Sequence, residues 1–247
     1  MDAGYIDIQP WPLPELVGTL VARVAIARRG LVESDAEGDV FERETDRFEL
    51  DAWARMELTA WLLTGDPEIL EAPVGNLDED QADACHDALL QAATVAWAVN
   101  VIPSPTLPAF TDGEPERIAL EWAPGPWTPV RNVMKTVRLR SDEDLARERE
   151  RWELMYWRLM LPDPLDPDAR AALADTVGEI GEIDLLPVSG GDFATDNGVR
   201  FAELPAETRE TCAHEAEIRL RSLNWVCGIG ERIDSAPLID EESDQET

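Results

Sequence analysis

Both histidines of the chain lie close to a cysteine in sequence, and these side chains are of the types that bind metal ions. The two segments read Cys85-His86 and Cys212-Ala213-His214. Two cysteines and two histidines can ligate a tetrahedral zinc ion, and ligands within one segment are usually about two to four residues apart. Neighbouring residues of a helix point about 100° apart, so Cys85 and His86 are poorly placed to share one ion. We therefore predict no metal site, with Cys85 buried and His86 on the surface.

The sequence contains no motif typical of a catalytic centre. His214-Glu215 begins a pattern seen in zinc proteases, but the second histidine of that pattern is missing. A phosphate-binding P-loop, a dinucleotide glycine fingerprint and a nucleophile elbow are also missing. Carboxylates are so numerous that no pair is singled out as acid and base. We therefore predict no cofactor, and we favour a non-enzymatic role over an enzymatic one.

The chain is strongly acidic, with 52 acidic and 21 basic residues and a net charge of −31. Such a surface repels phosphate backbones and anionic membrane faces, which argues against nucleic-acid and membrane binding. We interpret the charge first as a solubility device, and the alternative is masking of a basic partner or mimicry of nucleic acid. The sequence indicates a reduced, cytoplasmic protein. It has three cysteines, its N-terminus lacks a basic segment, and its short apolar run at Leu16–Ala27 contains Arg23.

Charge is spread unevenly along the sequence. Residues 33–87 carry 18 acids and three arginines, whereas residues 131–158 carry eight basic and six acidic residues. In the second segment, Arg147, Arg149 and Arg151 alternate with acidic residues, which favours a solvated helix face with ion pairs. The alternative is that this arginine-rich helix docks against an acidic segment or a partner.

Helical periodicity dominates the rest of the sequence. Apolar residues at helical spacing predict a helix that begins near Pro14, a second from about residue 46 to 64, and a long third helix capped by Asp78. The second helix has Phe48, Ala52, Met56, Thr59 and Leu63 on one face. The long helix has the core stripe Ala82, Cys85, Leu89, Ala92, Ala96 and Val99. Residues 33–46 are predicted to be a polar connection.

In the second half of the chain, residues 118–122 suggest a short strand, and Thr128-Pro129 suggests a helix to about residue 137. Ser141 with Asp144 resembles a capping box before another helix. Residues 187–204 predict a hairpin around Asn197-Gly198, followed by a last helix over about 206–227. The predicted fold is mainly α: a single compact multi-helix domain over residues 1–233, with a small β-hairpin before the C-terminal helix. Residues 234–247 are predicted to be an acidic disordered tail.

Two long segments carry a family resemblance. Residues 70–84 read Leu-Glu-Ala-Pro-Val-Gly-Asn-Leu-Asp-Glu-Asp-Gln-Ala-Asp-Ala and are followed by Ala-Trp-Ala-Val at 96–99; residues 219–228 read Arg-Leu-Arg-Ser-Leu-Asn-Trp-Val-Cys-Gly. With Leu139-Arg140-Ser141 and Trp157-Arg158 between them, they resemble the bacterial domain of unknown function 4272 family. The resemblance covers roughly residues 17–230. That family has no assigned activity, so the resemblance implies no reaction.

The chain departs from the family where chemistry could be sought. Similar proteins carry Trp-Arg-any-Glu where this chain has His86 to Leu89, and Glu-Arg-His where it has Ile218, Arg219 and Leu220. Only Arg219 is retained. A buried structural Arg-Glu bridge, replaced here by apolar residues, explains this better than a lost catalytic pair. Arg219 and Asn224 are therefore a candidate polar cluster, and we expect Arg219 to have a buried partner.

Most of the nine tryptophans fall on helix stripes, and we predict that Trp97, Leu223 and Trp225 are buried. Trp11, Trp122 and Trp127 lie outside such stripes and are candidates for a contact surface. The favoured function is a non-enzymatic cytoplasmic protein, an accessory or immunity-like factor, that acts through contacts with another protein. The alternative is a small-molecule-binding or hydrolase-like enzyme that uses carboxylates and Arg219 in a helical cleft.

Overall fold

The fold is mainly α, as predicted, with a two-stranded hairpin before the last helix. The computed structural model describes residues 8–110, 113–162 and 164–238. These residues form α1 (Leu13–Ser34), α2 (Val40–Glu57), α3 (Asp66–Glu71), α4 (Glu79–Ala98), α5 (Glu114–Trp122), α6 (Asp142–Met160), α7 (Pro167–Ile183), β1 (Val188–Ser189), β2 (Asp192–Phe193) and α8 (Ala206–Val226).

The chain divides into two compact units, which are described in turn. The first, here called the α1–α5 unit, comprises residues 10–104 and 113–140. The second, the α6–α8 unit, comprises the described residues of the rest of the chain. The single domain predicted over residues 1–233 stays a prediction.

Two helices form the centre of the α1–α5 unit. All side chains of α1 from Leu16 to Ala27 are buried, and so are those of α4 from Leu90 to Ala98. Pro14 lies in the first turn of α1, and Asp78 caps α4 through a capping box with Gln81, because each side chain bonds the backbone amide of the other residue. The predicted cap is confirmed, but the last turns of α4 are buried on every side rather than along one stripe.

The second helix begins earlier than predicted. It starts at Val40, inside the segment expected to be a connection, because the Asp39 carboxylate accepts hydrogen bonds from two amides of the first turn. It ends at Glu57 rather than near residue 64. Leu50, Trp53 and Ala54 are its buried residues, so the face that carries Phe48 and Met56 is not the one that packs.

Two further predictions in this unit are wrong. Residues 118–122, expected to be a strand, belong to α5, which begins after Gly113 and is held at its end by Arg28, a donor to the carbonyls of Leu120, Ala123 and Pro124. The helix expected from Thr128-Pro129 is only a 3₁₀ turn at Val130–Asn132. β-Branched Val130 and Val133 are weak helix formers, and the segment is too short to overcome that.

The α6–α8 unit is built on the packing of α6 against α8. Ser141 caps α6 as predicted, since its hydroxyl accepts the Asp144 amide at 3.1 Å. Leu223 and Trp225 of α8 are buried, and in the other unit so is Trp97, which confirms the three expected core positions. Edge-to-face aromatic contacts complete the core of this unit and join Phe110 with Trp152, Phe110 with Phe201, and Phe193 with Phe201.

The hairpin turns seven residues earlier than predicted. Val188 pairs with Phe193 and Ser189 with Asp192, so the turn residues are Gly190 and Gly191, both with positive φ. The predicted Asn197-Gly198 turn also forms, but it closes only one isolated bridge, Ala194 to Arg200. Two consecutive glycines supply the left-handed pair that a two-residue hairpin requires, whereas at the second turn only Gly198 has positive φ.

The start of the predicted disordered tail is packed in this structure. Ala236 is fully buried, its carbonyl accepts Arg221 at 2.7 Å, and the Pro237 carbonyl accepts Asn224 at 2.6 Å. Polar side chains of α8 therefore hold residues 236–237 through backbone acceptors, which composition does not reveal. Residues 239–247 lie outside the described residues.

Gly18 tests the packing of α1. An added methyl group would overlap the indole of Trp61, whereas the surroundings of Gly178 in α7 are open. Gly18→Ala should lower the melting temperature, because overpacking costs about 1–3 kcal/mol and exceeds the helix-propensity gain. Gly178→Ala, the matched control, should raise stability by about 1 kcal/mol. Equal shifts of the two melting temperatures in differential scanning calorimetry would contradict the packing.

Candidate functional site

Arg219 lies in the α6–α8 unit with its side chain closed off from solvent. It is 1% exposed, its Nε donates to Glu215 Oε1 at 2.9 Å, and its guanidinium lies 5.1 Å from the centre of the Trp152 ring. Arg219 therefore has a carboxylate partner, as expected, but Glu215 is half-buried rather than buried. The cation also gains from the negative face of the indole.

Asn224, the other member of the candidate polar cluster, is equally buried. Its Oδ1 accepts Arg149 Nε at 2.5 Å, and its Nδ2 donates to the Pro237 carbonyl at 2.6 Å. Both ends of the amide are thus used to join α6, α8 and the segment after α8. Arg219 and Asn224 are structural residues in this arrangement, and a substrate has no access to either.

A buried carboxylate that the sequence analysis missed lies on α6. Glu148 Oε1 accepts the Leu107 amide at 3.1 Å, Trp152 Nε1 at 2.8 Å and Arg151 Nη1 at 3.1 Å. Glu148 Oε2 has no hydrogen-bond partner among the described residues. Burial raises the pKa of Glu148, although Arg151 and the other donors oppose that shift.

The arginine-rich helix is not the solvated face that the sequence favours. Arg149 and Arg151 are 5% and 4% exposed, while Arg147 is exposed. Arg151 donates to the Leu107 carbonyl as well as to Glu148. Arg149 and Arg151 keep the helix-spaced ion pairs that the sequence favours, with Glu153 and Glu148, but they are buried and also dock on Asn224 and on the Leu107 carbonyl rather than on an acidic segment. The Asn224 and Leu107 acceptors lie 75 and 44 residues away in sequence, so helical spacing alone could not identify them.

A second missed pair joins α6 to β2. Arg158 Nε and Nη2 donate to the two carboxylate oxygens of Asp192 at 2.7 and 3.0 Å. The same carboxylate accepts the amides of Phe193 and Ala202 at 2.8 and 2.9 Å. This buried pair fixes the hairpin on the helix, and breaking it by removing one partner would cost about 3–5 kcal/mol.

Residues 72–77, between α3 and α4, form a loop that α1 holds in place. Arg29 donates to the carbonyls of Ala72 and Pro73 at 3.0 and 3.3 Å. Glu33 accepts the amides of Gly75 and Leu77 and pairs with Arg29. Burial alone would raise the pKa of Glu33, but the Gly75 amide and Arg29 outweigh it and the pKa is lowered. Arg29 and Glu33 thereby order the loop that leads into α4, which gives these loop residues a structural role.

Cys85 and His86 are placed as the sequence predicts. Cys85 is buried, His86 and His214 are exposed, and all three cysteines are free thiols. Burial raises the pKa of Cys85 and Cys212 to about 11 and that of Cys227 to about 12, so these thiols are protonated and unreactive at neutral pH. In the described ranges, no three His, Cys, Asp or Glu side chains are grouped closely enough to hold a metal ion.

The most unusual surface of the α1–α5 unit is an exposed apolar row on α2. Phe41 is 80% exposed, Phe48 60% and Met56 68%. At 100° per residue, these three side chains and Ala52 project within about 80° of one another, opposite the buried face. Trp127, 53% exposed, donates to Glu49 of the same helix at 3.4 Å. We call this surface, formed by Phe41, Phe48, Ala52, Met56 and Trp127, the α2 face.

The backbone of Trp127 is held in an unfavourable conformation. Its φ is +68°, in the left-handed region that bulky residues rarely adopt. The turn that imposes it is closed by the Thr128 amide on the Gly125 carbonyl at 3.3 Å. A tryptophan that is both strained and solvent-exposed contributes little to folding, which makes Trp127 a candidate contact residue.

Of the three tryptophans predicted to form a contact surface, the structure places one in the α2 face. Trp127 is exposed, whereas Trp11 and Trp122 are half-buried, the latter as the last residue of α5 rather than in a loop. The remaining members of the face come from the helix whose stripe the sequence had identified. Its orientation toward solvent could not be read from periodicity, which gives a face but not its surroundings.

The comparisons with protein families, curated proteins and solved structures found no match to this chain. In the described part of the chain, no helix combines the length and the apolar character needed to cross a membrane.

The buried carboxylate on α6 predicts a specific pH dependence. In the unfolded chain Glu148 titrates near 4.5, and burial raises the pKa in the fold. Above pH 4.5 the unfolded state therefore releases its proton first, and the wild type loses stability relative to Glu148→Gln until the folded pKa is passed. Urea unfolding between about pH 4 and 8 measures this difference.

The variant Glu150→Gln, at an exposed position of the same helix, controls for the loss of one acidic charge. A wild type that gains stability over Glu148→Gln as the pH rises would show that the ion pair with Arg151 dominates instead.

Proposed function

We propose that this protein is a non-enzymatic factor that acts by binding another protein through the α2 face. The observation that carries the proposal is the exposure of two phenylalanines and a methionine on one side of α2, with the exposed Trp127 of a nearby loop bonded to Glu49 of the same helix. Contiguous exposed apolar surface is unfavourable in water and typically marks an interaction site. Aromatic residues and methionine are also the types enriched at protein interfaces.

The helix underneath makes the face rigid. Leu50, Trp53 and Ala54 anchor α2 from the opposite side, and Trp53 Nε1 donates to the Thr128 carbonyl at 3.1 Å. That bond ties the loop carrying Trp127 to the helix carrying Phe48. A preorganised surface of this kind loses little conformational entropy on binding.

The enzyme alternative finds no support in the cluster on which it depends. Arg219 and Asn224 are each 1% exposed and are used by neighbouring side chains and carbonyls. The three cysteines are free thiols, which favours, as part of the proposal, a reducing compartment such as the cytoplasm. The resemblance to the family of unknown function stays an expectation, and it adds no activity to the proposal.

Trp127→Asn separates binding from folding. Asparagine tolerates a positive φ, so relief of strain should offset the lost indole contacts and leave the free energy of unfolding unchanged or about 1 kcal/mol higher. Partner binding should fall. Trp122→Asn is the matched control. The Trp122 indole is half-buried, so we expect its replacement to destabilise the fold. Clear destabilisation by Trp127→Asn in urea unfolding would mean that Trp127 serves the fold.

Photocrosslinking from the α2 face tests the proposal directly. A benzoylphenylalanine replaces Phe48 in the full chain, and the control carries it at Met160, an exposed apolar position of the α6–α8 unit. Cells that natively express the chain are irradiated, and the adducts are identified by mass spectrometry. We expect adducts from position 48 to one other protein, with little from position 160, and loss of those adducts when Met56→Ser is added.

Three results would overturn the proposal. Adducts only to residues 1–7 or 239–247 of the same chain would mean that a terminus covers the face. Adducts to a second copy of the chain would make the face a homodimer contact. No adduct from position 48 would leave the face without a protein partner in the cell.

A further inference from the structure

The charges around the α2 face restrict what can bind it. From Val40 to Glu57 the helix carries six acidic residues and three arginines. Each arginine is already used within the unit: Arg43 donates to the carbonyls of Val32 and Glu33, Arg47 pairs with Glu44, and Arg55 pairs with Asp51 and Glu71. No cation of α2 is left over to attract an acidic partner.

The carboxylates along one edge of the face are in a different situation. Glu42, Asp46 and Glu49 are exposed, and no arginine or lysine of the described residues forms an ion pair with them. Glu49 accepts only the Trp127 indole, at the long distance of 3.4 Å. An apolar row therefore runs beside a row of uncompensated negative charges.

This pairing of an apolar row with a negative edge selects among occupants. A second copy would bring the same carboxylates against its own, at a net charge of −31 per chain. An anionic membrane surface is repelled in the same way. A partner with its own apolar row and a flanking row of Lys or Arg would instead gain from both components of the surface.

The shape of the face indicates a helix. Phe41 and Met56 are 15 residues apart on α2, so the row is about 22 Å long and one helix wide. A partner helix of about four turns has the matching length, and its apolar positions at three- and four-residue spacing fit the ridges of α2. A flat sheet edge would leave part of the row in water.

We propose that the occupant of the α2 face is a cationic amphipathic helix of about four turns, a conclusion that rests on the proposed protein-binding function. Its apolar side covers Phe41, Phe48, Met56 and Trp127, and its Lys or Arg side chains lie along Glu42, Asp46 and Glu49. The basic segment belongs to another protein, and its binding needs no change in the fold of either unit.

Designed peptides test the chemistry without knowledge of the natural partner. The probe is a 16-residue helical peptide with leucines at three- and four-residue spacing and lysines on the flanks. One twin carries glutamate in place of every lysine, and a second twin has the same composition in a non-amphipathic order. Fluorescence anisotropy with the full-length protein gives each Kd at NaCl concentrations from about 0.05 to 0.5 M.

We expect the cationic amphipathic peptide to bind at least about tenfold more tightly than either twin. Phe48→Ser should weaken its binding about tenfold or more, and Met160→Ser, the matched control in the other unit, should not change it. The triple variant Glu42→Gln, Asp46→Asn, Glu49→Gln should flatten the salt dependence and leave the fold intact, because all three side chains are exposed.

Other outcomes would overturn the inference. Equal binding of the cationic and anionic peptides would show that the charged edge plays no part. Cationic binding that is insensitive to Phe48→Ser would be general attraction to an acidic protein. Binding of zwitterionic phosphatidylcholine vesicles through the same face, without peptide binding, would make the occupant a lipid surface.

The two proposals fail in different ways. If position 48 crosslinks to another protein but the cationic peptide does not bind, the protein-binding function stands and the cationic helix is wrong. If position 48 yields no protein adduct in cells, the protein-binding function itself is wrong.

Discussion

Burial of arginine side chains is the constraint on which much of this structure depends. Six arginines, two in the α1–α5 unit and four in the α6–α8 unit, are at most 5% exposed: Arg23, Arg29, Arg149, Arg151, Arg158 and Arg219. A guanidinium cannot lose its charge at physiological pH, so each must meet carboxylates, carbonyls or aromatic faces inside the fold. The partners come from α3 and the loop after it, from β2, from residue 107 and from α8. Arg29, Arg151 and Arg158 in this way position segments outside the helices that apolar packing alone would leave undefined.

The features that could be predicted from the sequence are those with a local signal. Caps and apolar periodicity are local signals, so Asp78, Ser141 and the helices α1, α4, α6 and α8 were accessible from spacing alone. The double glycine at 190–191 was also a local signal. Asn197-Gly198 is a stronger hairpin motif in sequence, so the hairpin was predicted there instead. The packing of residues 236–237 could not be predicted for another reason. These residues accept hydrogen bonds through their backbone carbonyls, which leave no signal in the side-chain sequence.

The residues of the candidate site also divide into those that have a local sequence signal and those that do not. Trp127 could be found, because it lies between prolines where no helix stripe can claim it. Phe48 and Met56 were recognised as one face, but periodicity is blind to whether a face meets protein or water. Asp39 moved the start of α2 six residues forward and brought Phe41 into that face. Glu148 has helix-spaced donors in Arg151 and Trp152, but the Leu107 amide that completes its surroundings lies 41 residues away. The Arg158 donor of Asp192 lies 34 residues away, so local spacing could not reveal either environment.

The exposed row on α2 has a colloidal consequence. Uncovered phenylalanines of two molecules would adhere on contact, and only the long-range repulsion between highly charged particles keeps such encounters rare. That repulsion decays over a screening length of about 10 Å at 0.1 M salt and about 3 Å at 1 M. Concentrated salt therefore removes the barrier while it strengthens adhesion between apolar surfaces. The tendency of the free protein to aggregate is therefore set by the ionic strength of its surroundings and by whether a partner covers the α2 face.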